Sequence, residues 1–278
     1  MKLQFLGTAA YEGIPAFYCE CDACKKAREL GGRNMRTRSQ AIVDDTILID
    51  YPADTYAHFL AYNMPLSKIK TCIITHSHSD HFYPSDMLAR FNGPYAHVNS
   101  DAPLTIYSGE DGYNKTVEKI KEEGVPECDL KAVLIKPFEP FEADGYTITA
   151  LNANHAQNTS PYIFIIEKDG KAVLYGNDTW IFPEDTWEYL EKYNKKFDLV
   201  ILDCTMGESP NEWKGHMNVE QCAVVRDRMC KMGLCHENTK YILNHFSHNG
   251  ATCLYDDLKV KVEKLNFDVS YDGMTVEF

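Results

Sequence analysis

The segment Thr75-His76-Ser77-His78-Ser79-Asp80-His81 places three histidines and an aspartate within six residues. Imidazole is the commonest metal ligand, and a carboxylate beside it suits a hard divalent cation. The cluster directly follows the apolar run Cys72-Ile73-Ile74, so it reads as a loop at a strand end where four metal-seeking groups share one small volume. Three more polar residues end strand-like runs: His155 after 147–151, Asp178 after 173–175 and His245 after 241–244. Alone, each is an ordinary loop or turn residue. Taken with the first cluster they give two metal shells. One holds His76, His78 and His155, the other Asp80, His81 and His245, and Asp178 bridges them because a carboxylate has two oxygens. Two cations about 3.5–4 Å apart would share a hydroxide that is nucleophilic at neutral pH, and would neutralise charge building on a phosphoryl or carbonyl oxygen.

A second cluster is Cys19-Glu20-Cys21-Asp22-Ala23-Cys24. The spacing C-x-C-x2-C is too tight for three separate disulfides and reads as a metal knuckle. Cys72, Cys128, Cys204, Cys222, Cys230, Cys235 and Cys253 are scattered, several in apolar runs. They read as reduced thiols in a reducing compartment.

These groups need a scaffold. β-rich runs recur at 2–6, 40–43, 46–50, 71–75, 104–107, 132–135, 146–151, 162–167, 171–175, 199–203, 241–244 and 275–278, many bounded by Gly, Pro, Asp or Asn. Asp44-Asp45 and Lys168-Asp169-Gly170 mark two hairpins. Helical spacing of apolar residues covers 53–62, 84–91, 113–123, 184–193, 218–232 and 253–265. Asn218 is an N-cap with Gln221 three residues on, the pattern of a capping box. Strands separated by helices, with hairpins mixed in, predict a layered α/β protein.

Composition limits the partners. The 278 residues carry 28 Lys and Arg against 41 Asp and Glu, a net charge of −13, which repels polyanions and excludes an extended nucleic acid as the expected substrate. One basic segment, with Lys25, Lys26, Arg28, Arg33, Arg36 and Arg38, reads as a solvated helix and loop, with a phosphate-attracting rim as the alternative. No linker or repeat divides residues 1–278, so one domain is expected, with the knuckle near its N-terminus. The first residues lack the apolar run of a signal peptide and no stretch approaches the roughly 20 apolar residues of a membrane span, so a cytoplasmic protein without membrane contact is expected.

The H-x-H-x-D-H segment, followed by separate His, Asp and His at strand ends, resembles the metallo-β-lactamase superfamily. The resemblance runs from Phe5-Leu6-Gly7-Thr8 to Asp272-Gly273-Met274. It implies an αββα sandwich, two sheets face to face with helices outside and metals at one edge. Gly7-Thr8, Gly13-Ile14-Pro15-Ala16, the cysteine knuckle, Gly215-His216 and His245-x2-His248 further resemble the phosphoribosyl 1,2-cyclic phosphodiesterases of the PhnP type. That likeness implies a structural zinc on Cys19, Cys21, Cys24 and His248, a closed shell with no catalytic position.

It also implies that His216 contacts the substrate phosphate or assists proton transfer to the leaving oxygen, which makes Asp80 and His216 the catalytic candidates. The expected activity is hydrolysis of a small phosphodiester, cyclic by resemblance, using two divalent ions; Mn or Zn leads, and Fe or Ni also fits such shells. The alternatives are a thioesterase or lactonase, a tRNA 3′-processing nuclease, or a non-hydrolytic coenzyme-biosynthesis or metal-binding protein. Related enzymes form dimers, so a homodimer is left open. Gln157, Asn158, Thr159 and Ser160 are candidate substrate donors, and 51–66 and 91–102 are candidate cleft walls. Trp180 and Trp213 fall in loops, and nothing in the sequence ties either to a ligand.

Overall fold

Side chains on a strand alternate between its two faces, and this chain buries both faces of both its sheets. The computed structural model describes every residue except Ser100, Asp101, Gln157, Asn211 and Glu212. The first half supplies β1 (Lys2–Gly7), β2 (Gln40–Val43), β3 (Ile47–Ile49), β4 (Thr71–Ile73), β5 (Leu104–Ser108) and β6 (Leu130–Leu134). The second supplies β7 (Phe141–Ala143), β8 (Tyr146–Asn152), β9 (Tyr162–Lys168), β10 (Lys171–Gly176), β11 (Phe197–Asp203), β12 (Cys235–Asn244), β13 (Asp268–Val269) and β14 (Thr275–Glu277). Among the described residues these form two seven-stranded sheets, ordered β14-β1-β2-β3-β4-β5-β6 and β13-β12-β11-β10-β9-β8-β7.

Alternation sorts the apolar side chains into three layers. Leu3, Phe5 and Ile73 of the first sheet face Phe164, Ile166, Val173, Tyr175, Leu199 and Ile201 of the second. On the outer face of the first sheet, Ile42, Leu48, Cys72 and Ile106 pack with Met64 and Met87 beneath α2 (Thr55–Tyr62), α3 (Pro84–Met87) and α4 (Glu110–Glu123). On the outer face of the second, Ile163, Ile165, Leu174, Val200 and Leu202 meet α5 (Glu184–Lys192), α6 (Val219–Lys231) and α7 (Tyr255–Val262) through Trp187, Leu190, Val225, Met229 and Leu258. The result is the expected αββα sandwich. No helix of the described residues is long and apolar enough to cross a membrane.

Local chemistry explains the turns. Asp44 and Asp45, between β2 and β3, take φ of 48° and 53°; Asp169 and Gly170, between β9 and β10, take 51° and 77°. Positive φ at both central positions matches the right-handed twist of the flanking strands. Asp144-Gly145 (49° and 81°) makes a third such hairpin, between β7 and β8, that the sequence reading lacks. At the start of α6 the Gln221 amide donates to Asn218 Oδ1 at 2.9 Å and the Asn218 amide donates to Gln221 Oε1 at 3.0 Å, which is the capping box expected there.

Three departures have plain causes. The helix α1 (Asp22–Leu30) falls in the basic segment read as a solvated helix and loop, but its bounds went unread because only Cys24 and Ala27 of its nine residues are buried, too few for an apolar period. The edge strands β7 and β13 are three and two residues long, below any pattern. The helix expected over 84–91 divides at Leu88 into α3 and a 3₁₀ turn, Leu88–Arg90.

Directions within the sheets decide where the chemistry gathers. β3, β4, β5 and β6 are mutually parallel, as are β10, β11, β12 and β13. β8 runs antiparallel to β9, and β9 antiparallel to β10, so β8 points the same way as β10. The loops after β3, β4, β8, β10, β11 and β12 therefore leave from carboxyl ends at one edge of the sandwich. Phe164 lies fully buried between the sheets. Replacing it with alanine is expected to cost about 3–5 kcal/mol of stability, read as a lowered urea midpoint at unchanged slope.

Candidate metal centre

The loop after β4 carries four of the expected ligands. It is held open by contacts that leave the imidazoles facing inward. The Lys115 ammonium of α4 donates to the Ser77 carbonyl at 2.6 Å and to Ser77 Oγ at 2.9 Å. The Tyr162 amide of β9 donates to the Thr75 carbonyl at 2.8 Å, which stitches the two sheets together beside the loop. From the facing strands, His155 follows β8, Asp178 follows β10 and His245 follows β12. Asp178 and His245 take left-handed φ of 52° and 64°, and so does Asp50 after β3 (65°). Aspartate and histidine tolerate that region better than most side chains, at an energetic cost accepted mainly at functional sites.

The seven expected ligands converge. Donor atoms of His76, His78, His155 and Asp178 lie within 4.8 Å of one another, as do those of Asp80, His81, Asp178 and His245. His76 Nε2 is 2.9 Å from His78 Nδ1, and His81 Nε2 is 3.1 Å from His245 Nε2. Asp178 Oδ2 lies 3.1 Å from His76 Nε2 and 3.0 Å from His81 Nε2, between the two groups. Its buried Oδ1 faces ring nitrogens of His216 and His155 at 3.0 and 3.4 Å. A buried carboxylate among converging ring nitrogens is the donor set a cation satisfies, so the residues fit metal ions in both clusters.

Electrostatics agree with the geometry. Burial by itself would raise the Asp178 carboxyl, but the rings of His245, His155, His216 and His76 hold it well below the usual carboxylate range. Burial favours a neutral His81 ring, and the carboxylates of Asp80 and Asp50 outweigh it and push the ring well above its ordinary value. Burial and the neighbouring His81 drive His76 the other way.

A supporting layer orients these rings, as metal-ligating histidines require. His81 Nδ1 is 2.7 Å from Asp50 Oδ2, and Asp50 also accepts from the amide and hydroxyl of Thr75. His245 Nδ1 is 2.8 Å from Thr205 Oγ1, and His155 Nδ1 is 3.1 Å from the Gly215 carbonyl. His216 Nδ1 is 2.7 Å from Asp203 Oδ2 and 3.0 Å from Asp178 Oδ1. Burial lowers the His216 ring; Asp203 and Asp178 overcome this and raise it to about 10.

Beside the same cleft, Cys19, Cys21, Cys24 and His248 form a further cluster with donor atoms within 4.8 Å. His248 Nδ1 is 3.3 Å from Cys19 Sγ and 3.5 Å from Cys21 Sγ, and its Nε2 faces Glu12 Oε1 at 3.6 Å. The hydrogen bond with His248 lowers the exposed Cys21 thiol to about 6, whereas burial pushes Cys24 up to about 12.

Residues 45–245 match the family described as the Beta-lactamase superfamily domain. The chain belongs to that superfamily. This superfamily member is 29% identical over 182 residues to ribonuclease Z of Listeria innocua serovar 6a, covering 63% of this chain and 52% of that one. It is 25% identical over 136 residues to a UPF0173 metal-dependent hydrolase of Pyrococcus abyssi, covering 47% and 52%. The chain thus spans about half the length of the curated relatives it matches. Among solved structures, Zn(2+)-bound PqqB from Methylobacterium extorquens superposes with a TM-score of 0.77 at 19% identity, covering 100% of both chains. A diphosphatase from the PhnP family superposes at 0.75 and 19%, covering 100% of this chain and 96% of that one. At such identity these two show the metallo-β-lactamase fold.

The cleft over the two clusters of this superfamily domain has a volume of about 520 Å³. Its wall includes His78, Asp80, His155, Asp178, His216 and His245. The expected walls are elsewhere: residues of 51–66 and 91–98 line a separate, largely apolar cavity of about 920 Å³ beneath α2 and α3. They surround the outer face of the first sheet, whereas the ligands sit at its edge. Asn158, Thr159 and Ser160 are absent from the cleft lining; Thr159 Oγ1 donates to the Ala156 carbonyl and the Ser160 amide to Asp111. Gln157 lies outside the described residues.

The basic segment also has internal duties. Arg36 is buried and donates to Thr8 Oγ1 and the Ser270 carbonyl, Arg28 donates to the Cys19 carbonyl, and Lys26 pairs with Asp257. Sequence reasoning missed Asp50 and Asp203. Each ends a strand-like run, the same signal that picked out Asp178, and nothing further separates them from ordinary strand-end aspartates.

Two tests follow from this geometry. Asp50→Asn, which removes the charge behind His81, is expected to weaken metal binding by about 10–100-fold, read by chelator competition. In chelated protein, iodoacetamide is expected to alkylate Cys21 with a midpoint near pH 6, the thiolate forming as pH rises through that value, while Cys24 stays unreacted; peptide mass spectrometry reports both, and a Cys21 midpoint near 9 would remove His248 from its side.

Proposed function

We propose that the protein is a metal-dependent hydrolase that cleaves a small phosphodiester, a cyclic one foremost. The observation that carries this reading is the pair of ligand clusters sharing Asp178, with His216 in the same cleft wall. His76, His78 and His155 would hold one ion, Asp80, His81 and His245 the other, and Asp178 both. Divalent ions there, with Mn or Zn first and Fe or Ni also suited, supply an acidified water and a sink for phosphoryl charge.

The chain's own residues do the rest. Asp50, Thr205 and the Gly215 carbonyl fix the ring orientations of the ligands. Asp203 Oδ2, 2.7 Å from His216 Nδ1, orients this ring to donate a hydrogen bond to a substrate phosphoryl oxygen and to pass a proton to the departing alkoxide.

Charge selects a small substrate. A net charge of −13 opposes long polyanions, whereas an anion the size of one phosphate answers to the local field of the cations. The Cys19, Cys21, Cys24 and His248 group would hold a structural zinc, and His248 lies three residues beyond His245, so that ion would brace a ligand loop from behind. The scattered free thiols support a reducing compartment, the cytoplasm.

The test is a substrate panel on the metal-loaded protein: bis-p-nitrophenyl phosphate, a 2′,3′-cyclic nucleotide, a ribose 1,2-cyclic phosphate, a lactone and a thioester. Turnover is expected with phosphodiesters alone and is expected to disappear on chelation. Asp80→Ala should fall to background, and His216→Asn should lose about 10²–10⁴-fold in kcat. Normal phosphodiester cleavage by Asp80→Ala, or cleavage of the lactone or thioester alone, would overturn the assignment.

A further inference from the structure

The cleft has an aromatic rim that phosphodiester hydrolysis does not call for. Tyr11 and Trp213 both line it, and each is 59% exposed. Large rings left facing water in a cleft are a recognition feature more often than an accident of packing.

Both rings have a packed neighbour. Trp213 meets the His216 ring edge-on, with centroids 5.0 Å apart at 62°. Gly215 permits this approach, because a Cβ there would stand 2.6 Å from the indole. Tyr11 is braced by Arg38, whose Nε donates to the Tyr11 carbonyl at 2.8 Å and whose guanidinium lies 5.4 Å from the Tyr11 ring and 5.2 Å from the Phe17 ring. Arg38 is itself anchored 3.5 Å from the Asp54 carboxylate. Rings already ordered lose little freedom when a ligand arrives.

The cleft also carries polar groups. Glu12 lines it and accepts from the Ser247 hydroxyl and, at 3.3 Å, from Asn249 Nδ2; Ser247 and Asn249 line it too. A carboxylate at this point accepts from hydroxyl or amino groups and disfavours a second negative charge. One cleft therefore brings together a metal-ligating cluster that suits one phosphate, hydrogen-bonding groups and exposed aromatic faces. A nucleotide presents a group for each: its phosphate, its sugar hydroxyls and its base. Its π face stacks on an aromatic side chain whatever the base, which suits a rim with no fixed hydrogen-bond pattern. A bare sugar phosphate leaves the rim unused.

Resting on the phosphodiesterase reading, we propose that Tyr11 and Trp213 form a nucleobase-stacking subsite, and that the substrate class is a small nucleoside phosphodiester in preference to a sugar phosphodiester without a base. The test is binding, so it does not depend on turnover. AMP and ribose 5-phosphate are titrated by calorimetry into the metal-loaded protein, wild type and the variants Trp213→Ala, Tyr11→Ala and Trp213→Phe, with folding checked by circular dichroism. Wild type is expected to bind AMP at least about tenfold more tightly than ribose 5-phosphate. Each alanine variant should bring that ratio toward one, and Trp213→Phe should keep most of it. Equal affinities in the wild type, a result that needs no variant, would overturn the subsite; so would a preference that survives in both alanine variants. A protein that prefers AMP yet cleaves no phosphodiester keeps the subsite and loses the hydrolytic reading, and one that cleaves phosphodiesters while binding both ligands alike does the reverse.

Discussion

A buried carboxylate faced by imidazoles governs this structure. Asp178 is 3% exposed, and ring nitrogens of His76, His81, His155 and His216 lie within 3.4 Å of its oxygens. Removing such a charge from water is expensive unless positive charge replaces the lost solvation. His76 and His81 come from the loop after β4 of the first sheet, and His155 and His216 from the loops after β8 and β11 of the second. Satisfying one aspartate therefore requires the two sheets to stand face to face with their carboxyl ends in register. The αββα layering positions the site, and the site in turn rewards that layering.

The second tier of contacts carries as much of the geometry as the ligands do. Asp203, at the end of β11, accepts from the amides of Thr179, Thr205 and Met217 as well as facing His216. One side chain thus joins the loops after β10 and β11 to the entry of α6. The capping box at Asn218 then starts that helix just past His216. The rigidity is local and comes from hydrogen bonds to backbone amides more than from apolar packing.

What the sequence made legible follows from how each signal is encoded. The H-x-H-x-D-H run is contiguous, so its meaning survives without any knowledge of folding. His155, Asp178 and His245 are recognisable because a strand-like run precedes each one, and period-two alternation is a strong local pattern. The layered fold was legible for the same reason, as were the hairpins at Asp44 and Asp169. Asp50 and Asp203 escaped because their roles are fixed by which loops leave the neighbouring strands of the same sheet, which no local pattern records. The walls placed at 51–66 and 91–102 were misassigned on similar grounds: a loop's composition says that it is aromatic, but only the sheet order says which edge it covers. The helix α1 was legible only as part of a basic, solvated segment, because it buries two of its nine residues and leaves no apolar period to mark its ends.

The knuckle has a consequence for the unfolded chain. Cys19, Cys21 and Cys24 lie near one end of the polypeptide and His248 near the other. A cation gripped by all four would cross-link the denatured ensemble over most of its contour and remove configurational freedom from it. By loop-closure reasoning a tie of that span is worth about 5 kcal/mol, comparable with the whole net stability of many domains. The knuckle would then act as a clasp on the entire sandwich, and the order of events in refolding would turn on when the ion is captured.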